Sequence, residues 1–258
     1  MDIFSEKEVD LLRSEILGRK FNIAYQPIVS AKEGKVKSLE SLFRLENARY
    51  NNRIKNVINF AKKEGFLNVI TDFMLDNIVS DFEDWRSNGF IEDDFFISFN
   101  VDHEQLNEDM LNLLLLKTKD KKIKPCNIFI EIKDSKDVNL DNIIIMNKIY
   151  DAGFKIAIDS IVEEDGLIKM PYHMVKIDKN FIKNVLESES MEKRLVDMIV
   201  AQKNGSKVSI VCQGIESKEQ TNSLVNIKSD YHQGYLYSKP VFKSEIISTI
   251  RKINGSKN

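Results

Sequence analysis

Strand-like apolar runs in this sequence repeatedly end in a charged or amide side chain. The side chains in question are Glu40, Asn100, Glu131, Asp159, Lys176, Gln213 and Gln233. A packed strand gains nothing from a carboxylate at its tip, because an unpaired buried charge is costly. Oxygen atoms of carboxylates and amides are the ligands that a hard divalent cation takes. The recurrence therefore predicts parallel strands whose carboxyl ends converge on one site, as in a barrel.

Helix and strand signals alternate along the chain with short connections. The stretch from Ser5 to Leu17 predicts an opening helix, with Ser5 as N-cap and Glu8 three residues later. Strands at 22–28 and 36–45 follow, and the short link between them favours antiparallel pairing. A helical region at 53–88, broken near Gly65, precedes the remaining units.

Repeated strand–helix units fill the rest of the chain. The predicted strands are 95–101, 127–132, 155–159, 173–178, 207–212 and 231–236. The predicted helices are 103–119, 137–152, 190–204, 216–227 and 243–253. Such units imply an α/β fold with parallel strands and outer helices, and seven or eight strands favour a closed barrel. We expect residues 1–20 to form a helix packed on the barrel and residues 21–258 to form the barrel itself.

Composition excludes several classes of partner. Apolar residues make up 42% and charged residues 30%, which is typical of a globular protein. The net charge of 38 − 40 = −2 argues against a nucleic-acid coat or an anionic membrane surface as partner. No apolar run reaches the ~18 residues of a membrane span, and the acidic N-terminus is unlike a signal peptide. We expect a cytoplasmic protein in which Cys126 and Cys212 are reduced, buried thiols.

Seven segments in order carry a family likeness. They are YQPIVSAKEGKVKSLESLFR, FISFN, FIEIKDS, IAIDS, VKIDKNFI, VCQGIES and QGYLYSKP, and the likeness spans about residues 21–240. In this order they resemble the EAL domain family of cyclic di-GMP phosphodiesterases. The resemblance implies a modified (β/α)8 TIM-like barrel with an antiparallel first strand. It also implies hydrolysis of cyclic di-GMP to pGpG with Mg²⁺ or Mn²⁺.

The resemblance assigns roles to individual residues. Metal ligands would be Glu40 of the tripeptide Glu40-Ser41-Leu42 together with Asn100, Glu131 and Asp159. Lys176 would lie near the reacting water and phosphate, and Glu216 would support the floor of the site. Residues expected to contact the nucleotide are Gln26, Pro27, Arg44, Gln233 and Pro240.

The second metal site departs from the family pattern. Where active members carry two adjacent aspartates, this chain has Asp159-Ser160, and where they carry a glutamate it has Gln213. Two unit charges ~4 Å apart interact by about 4 kcal/mol at an effective dielectric of 20, so losing both acids matters. The loop after Asp159 is shorter than in the family, and Asp134 replaces a supporting glutamate. We expect Mg²⁺ or Mn²⁺ at one site and not at two, with catalysis lost or weakened.

Three functions remain open at this point. The first is a degenerate EAL protein that binds cyclic di-GMP, a regulatory protein partner or both, without hydrolysis. The second is a slow cyclic di-GMP-specific phosphodiesterase with a weakly held second metal. The third is a protein-binding module that no longer binds the nucleotide. Dimerisation, which in the family uses the face near the altered loop, is also left open.

Overall fold

The structure is a computed structural model that describes residues 4–133, 137–161, 171–185, 208–225 and 229–255. Within these ranges the strands are β1 (Phe21–Ser30), β2 (Val36–Leu45), β3 (Phe96–Val101), β4 (Ile128–Ile132), β5 (Lys155–Ile161), β6 (Met174–Ile177), β7 (Ser209–Gln213), β8 (Tyr231–Gln233) and β9 (Val241–Phe242). The α-helices are α1 (Glu6–Leu17), α2 (Ile54–Lys63), α3 (Leu67–Ser87), α4 (Glu108–Thr118), α5 (Leu140–Asp151), α6 (Lys179–Val185), α7 (Lys218–Val225) and α8 (Lys243–Gly255).

Strands β1 to β8 close into a barrel. Strand β1 runs antiparallel to both of its neighbours, β2 and β8, whereas the pairs from β2–β3 to β7–β8 are all parallel. The two-residue β9 pairs only with β1 and lies outside the closed ring. The predicted α/β fold, a modified (β/α)8 TIM-like barrel with an antiparallel first strand, is therefore confirmed.

Most predicted elements are confirmed within one to three residues. The capping box of Ser5 and Glu8 opens α1, and the predicted break near Gly65 separates α2 from α3. Among the α-helices and strands of the described residues, the short helix α6 and strand β9 were not predicted. The helix predicted at 103–119 begins five residues late, at Glu108, because a separate 3₁₀ turn occupies His103–Gln105. Strand β8 ends at Gln233, earlier than expected, because the chain turns at Gly234. The helix predicted at 190–204 lies outside the described residues.

The expectation for the two cysteines is half wrong. Cys212 lies in β7 and is buried, as predicted, and both thiols are free. Cys126, however, is exposed, because it lies in a 3₁₀ turn (Pro125–Asn127) just before β4 and not within the strand.

The core has two layers separated by the barrel wall. The larger layer packs the outer faces of the strands against the helices and includes Leu12 and Ile16 of α1. The smaller layer fills the barrel interior and consists of Ile28, Phe96, Phe129, Ala157, Met174 and Val211, with Tyr231 packed against it. In the part of the chain that the structure describes, no helix is both long and apolar enough to cross a bilayer.

Gly234 joins β8 to the following turn at a point of close backbone approach. A Cβ atom there would lie 2.1 Å from the carbonyl oxygen of Ile215 and 2.2 Å from its nitrogen. The same two backbone atoms of Ile215 bond to Leu236 and Gln233, so the contact cannot easily relax.

We predict that Gly234→Ala lowers the free energy of unfolding by about 1–3 kcal/mol or more, as overpacking does. Urea denaturation followed by circular dichroism measures the change. Gly255→Ala is the matched control, because a Cβ at Gly255 meets nothing within 4 Å. Equal urea midpoints for the wild type and Gly234→Ala would show that the contact at Ile215 relaxes freely.

Candidate functional site

Strand alternation places a polar layer directly above the apolar barrel interior. Side chains two residues apart in a strand share a face. Phe129 of the interior layer is thus followed on the same face by Glu131, and Met174 by Lys176. The same spacing relates Ala157 to Asp159, Val211 to Gln213, and Tyr231 to Gln233. The polar layer lies at the carboxyl ends of the parallel strands, where the sequence predicted a site.

Lys176 lies at the centre of the polar layer and is fully buried. Its Nζ donates to both carboxylate oxygens of Glu131, at 2.9 and 2.7 Å, and to Oε2 of Glu40 at 2.8 Å. Glu131 is also fully buried, and Glu40 is 7% exposed. One ammonium group therefore bridges two of the four predicted metal ligands.

Amide side chains hold Glu40 from two sides. Asn100 Nδ2 donates to Oε1 of Glu40 at 3.0 Å, and Gln233 Nε2 donates to Oε2 at 2.7 Å. Gln233 Nε2 also lies 3.3 Å from Oε1 of Gln26, which is the register partner of Glu40 on β1. Pairing between strands thus brings Gln26, Glu40, Asn100 and Gln233 together.

Asp159 forms the opposite side of the polar layer. Its Oδ1 accepts a hydrogen bond from Gln213 Nε2 at 2.9 Å, and its Oδ2 lies 3.4 Å from Nζ of Lys133. The β5–β6 register shifts between Ile158 and Ile161, so Asp159 lies at a local irregularity of the strand. Such bulges re-aim side chains next to functional sites.

Electrostatics tie the charged groups of this layer together. Burial opposes ionisation of Glu40, but the Lys176 ammonium and the donors from Gln233 and Asn100 outweigh it and lower the pKa of Glu40. Burial and the negative charge of Glu40 raise the pKa of Glu131, against the attraction of Lys176. Burial also disfavours the ammonium form of Lys176, yet Glu131, Glu40 and Asp159 raise its pKa. The buried layer therefore contains more carboxylates than ammonium groups.

The donor set fits a hard divalent cation. Full ionisation gives three carboxylates (Glu40, Glu131 and Asp159) and one buried ammonium, so the buried groups sum to −3 + 1 = −2. Lys133 lies near Asp159, but its side chain is 60% exposed and its charge is screened by solvent, so it is not counted. Gln233 Oε1 adds a buried acceptor that has no hydrogen-bond partner among the described residues. The oxygens of Glu40, Asn100, Glu131 and Asp159 are those that would hold Mg²⁺ or Mn²⁺.

The remaining predicted residues lie at or near the mouth. Arg44 is half-buried, and its Nη1 donates to the carbonyl of Phe43 at 2.7 Å. Pro27 is buried in β1, and Pro240 is half-buried immediately before β9. Glu216 is exposed after β7, and its backbone amide donates to Gln220. No side-chain hydrogen bond within the described ranges joins Glu216 to the polar layer, so its predicted role stays a prediction.

Other sequence-predicted features lie outside the described residues. They are Asp134, the side chain of Ser160 and the altered loop at 162–170. Sequence reasoning, in turn, missed Lys133, which supplies Asp159 with a cation. Lys133 comes two residues after Glu131, so strand alternation could have placed it near the site.

A second group of possible ligand atoms lies just beyond β3. Single ligand atoms of Asp102, His103 and Glu104 lie within 4.8 Å of one another. Lys62 Nζ, however, lies 3.0 Å from Asp102 and 3.2 Å from Glu104. This ammonium offsets one of the two carboxylate charges and leaves −2 + 1 = −1, against −2 in the polar layer, so the polar layer is the stronger candidate for a cation.

Comparison with known proteins agrees with this geometry. A family model described as "EAL domain" matches residues 9–240. The chain is 25% identical over 252 residues to MucR of Pseudomonas aeruginosa, a "bifunctional diguanylate cyclase/cyclic di-GMP phosphodiesterase". The matched region covers 93% of this chain and 36% of MucR. It is 23% identical over 240 residues to the signaling protein YkoW of Bacillus subtilis, covering 90% of this chain and 29% of YkoW. The chain thus spans about a third of the length of these curated relatives.

Solved structures share the fold. The EAL enzyme Bd1971 in its cGMP-bound form superposes with a TM-score of 0.85 at 22% identity, covering 95% of this chain and 68% of that one. The phosphodiesterase PaMucR in complex with c-di-GMP superposes with a TM-score of 0.80 at 21% identity, covering 93% of this chain and 99% of that one. At such identities the likeness establishes the barrel architecture alone.

We predict that Lys176→Met, measured in EDTA, lowers the free energy of unfolding by about 3–5 kcal/mol, because it leaves buried carboxylates without a cation. Urea denaturation monitored by tryptophan fluorescence provides the measurement. Lys133→Met is the matched control, since the Lys133 side chain is 60% exposed and its pairing with Asp159 is screened by solvent. A Lys176→Met midpoint equal to that of Lys133→Met would contradict a central role for the buried ammonium.

Proposed function

The chain belongs to the EAL domain family, and from this we propose that it is a catalytically impaired member that binds cyclic di-GMP as a regulator. In this proposal the polar layer holds one divalent cation and the mouth of the barrel holds the nucleotide. The c-di-GMP complex of PaMucR, a protein of the same fold, supports the choice of ligand.

The hydrogen bond between Gln213 and Asp159 carries the proposal. The resemblance expects a carboxylate at position 213, and a carboxylate there would bring a further negative charge toward Asp159. The neutral amide instead donates a hydrogen bond from Nε2 to Asp159 Oδ1 at 2.9 Å. The amide adds no negative charge at position 213, so the charge of −2 in the layer balances one divalent ion and leaves none for a second.

One cation is too few for rapid hydrolysis of a phosphodiester. A two-metal hydrolase uses its ions to generate hydroxide and to stabilise charge on the attacking and leaving oxygens. A single bound Mg²⁺ or Mn²⁺ would supply Lewis-acid attraction for a phosphate oxygen. In this chain Lys176 is held by Glu40 and Glu131, so it orients these carboxylates and offsets their charge.

Arg44 is the residue best suited to hold a ligand phosphate. Burial lowers the pKa of Arg44, while the negative charge of Glu40 opposes that effect, and the guanidinium stays protonated. Its bond to the Phe43 carbonyl uses Nη1, which leaves donors on Nε and Nη2 for a phosphate. Gln26, Pro27, Gln233 and Pro240, all assigned by the resemblance, would line the rest of the nucleotide groove.

A slow phosphodiesterase is the second candidate. It is favoured by the retention of Glu40, Asn100, Glu131, Asp159 and Lys176 in one contiguous layer. A regulatory protein partner or a homodimer contact near the altered loop remains a prediction from the sequence.

We predict that the protein binds one Mn²⁺ ion per chain and that Ser160→Asp with Gln213→Glu raises the number to two. The two added carboxylates restore the negative charge that a second cation needs. Electron paramagnetic resonance of free Mn²⁺ during titration counts the bound ions. Two tight sites in the wild type would contradict the proposal. The control pair Ser160→Asn with Gln213→Asn, which changes shape but adds no charge, should leave one site.

We predict that calorimetry with Ca²⁺ present detects binding of cyclic di-GMP, while a product assay with Mn²⁺ finds pGpG only at a small fraction of the rate of an active family member.

Arg44→Ala should weaken nucleotide binding about tenfold or more, because a charge-assisted contact to phosphate is lost. Arg49→Ala is the control, since Arg49 is exposed and pairs with Glu8 on the outer surface. If the wild-type protein hydrolyses cyclic di-GMP at the rate of an active phosphodiesterase, the proposal of an impaired enzyme is refuted. If titration with cyclic di-GMP gives no binding heat, a protein-binding module is favoured.

A further inference from the structure

Three hydrogen-bonding side chains around the start of β8 form a connected series. Ser229 Oγ lies 2.9 Å from Nε2 of His232, and Nδ1 of the same imidazole lies 3.1 Å from the hydroxyl of Tyr237. Ser229 Oγ also lies 3.5 Å from the carbonyl oxygen of Leu224, at the limit of a hydrogen bond. A hydroxyl, a base within reach of it and a group that orients the base are the parts of an activated nucleophile.

The distances favour one arrangement of the protons. A serine hydroxyl has a single proton to donate, and a neutral imidazole has one donor and one acceptor nitrogen. Nε2 of His232 is the nearer acceptor for Ser229, so the imidazole proton is assigned to Nδ1, which then donates to Tyr237. In this tautomer Nε2 can take the proton that Ser229 loses when its oxygen attacks an electrophile.

The imidazole of His232 is fixed and neutral. His232 is 1% exposed, and its ring stacks on the ring of Tyr237 with an angle of 29° between the planes. Burial lowers the pKa of His232 to about 4, so the unprotonated form is present at pH 7. The base is thus held in the form that accepts a proton.

The neighbouring thiol does not compete with Ser229 as a nucleophile. Cys212 is the register partner of His232 on β7 and is fully buried. Burial raises the pKa of this thiol to about 12, although a hydrogen bond with Ser229 opposes the effect. Because the thiolate is the reactive form, Cys212 stays inert at neutral pH.

Ser229 lies at the edge of a cavity at the amino-terminal mouth of the barrel, opposite the candidate site. Ser229 is half-buried and contributes to the lining, and the cavity volume is about 480 Å³, within the range of small-molecule sites. Phe96 and Tyr231 also line it and meet edge to face, with ring centroids 6.1 Å apart. These rings provide a surface on which a small aryl or alkyl group can pack.

We propose that Ser229 is a nucleophilic residue that accepts the acyl group of a small activated ester, with His232 as the base. Ser229 Oγ forms a bond to the acyl carbon, and its proton passes to Nε2 of His232. The bond between the acyl carbon and the leaving oxygen breaks, and His232 returns the proton to that oxygen. The inference is independent of the proposed nucleotide function, since no residue is shared between them.

Rapid-mixing measurements of the full chain with p-nitrophenyl acetate test the proposal. We expect a burst of about one p-nitrophenol per chain, and peptide mass spectrometry should locate the acetyl group on Ser229. The burst rate should stay constant between about pH 6 and pH 8, because His232 is already unprotonated throughout this range. A rate that rises about tenfold per pH unit would show attack without a protein base, and acetyl groups on lysines alone would likewise overturn the proposal.

Variants test the two roles separately. Ser229→Ala should abolish the burst, and His232→Gln, which cannot accept a proton, should slow it at least tenfold. Ser30→Ala is the matched control, because Ser30 lines the same cavity but its Oγ accepts from the amide of Glu33 at 3.1 Å. An undiminished burst in Ser229→Ala would refute the assignment. The pH dependence and the acetylation site are measured on the wild type, so the proposal can fail even if His232→Gln does not fold.

Discussion

The bridge from Lys176 to Glu40 and Glu131 is the interaction on which the rest of the structure depends. These three groups lie in the barrel with little or no exposure to solvent, and each alone would be costly to bury. They are stable there because strands β2, β4 and β6 bring them within hydrogen-bond distance. The barrel and the site therefore specify each other: the strands position the charges, and the compensated charges permit a polar layer inside the barrel.

The same bridge limits what the site can bind. Lys176 offsets one of the three carboxylate charges, and the amides of Asn100, Gln213 and Gln233 donate to the carboxylates without adding charge. In the proposed function, one divalent cation would complete the balance and a second would lack anionic partners. The chain keeps the polar layer but has Ser160 and Gln213 where the resemblance expects acids. This combination is the physical reason for proposing a receptor in place of a rapid hydrolase.

Much of this arrangement could be predicted from the sequence, because strand alternation is a local property. Glu131 and Asp159 each follow an apolar strand residue by two positions, so their shared location follows from the pattern. The antiparallel β1 followed from the short link to β2. The pattern could not predict which side chains touch. That Lys176 bridges Glu40 and Glu131, or that Gln213 turns its amide toward Asp159, depends on the register across the six strands from β2 to β7.

Local signals were weakest where tertiary contacts decide. Cys126 was expected to be buried beside a strand, yet a turn that begins with a proline exposes it, and α6 is too short to show an apolar period. The central claim, that this layer has charge for one divalent cation, is tested most directly by anomalous diffraction from a crystal soaked in Mn²⁺. The account predicts a single anomalous peak among Glu40, Asn100, Glu131 and Asp159. Two peaks of comparable height in the layer, a few ångströms apart, would contradict it.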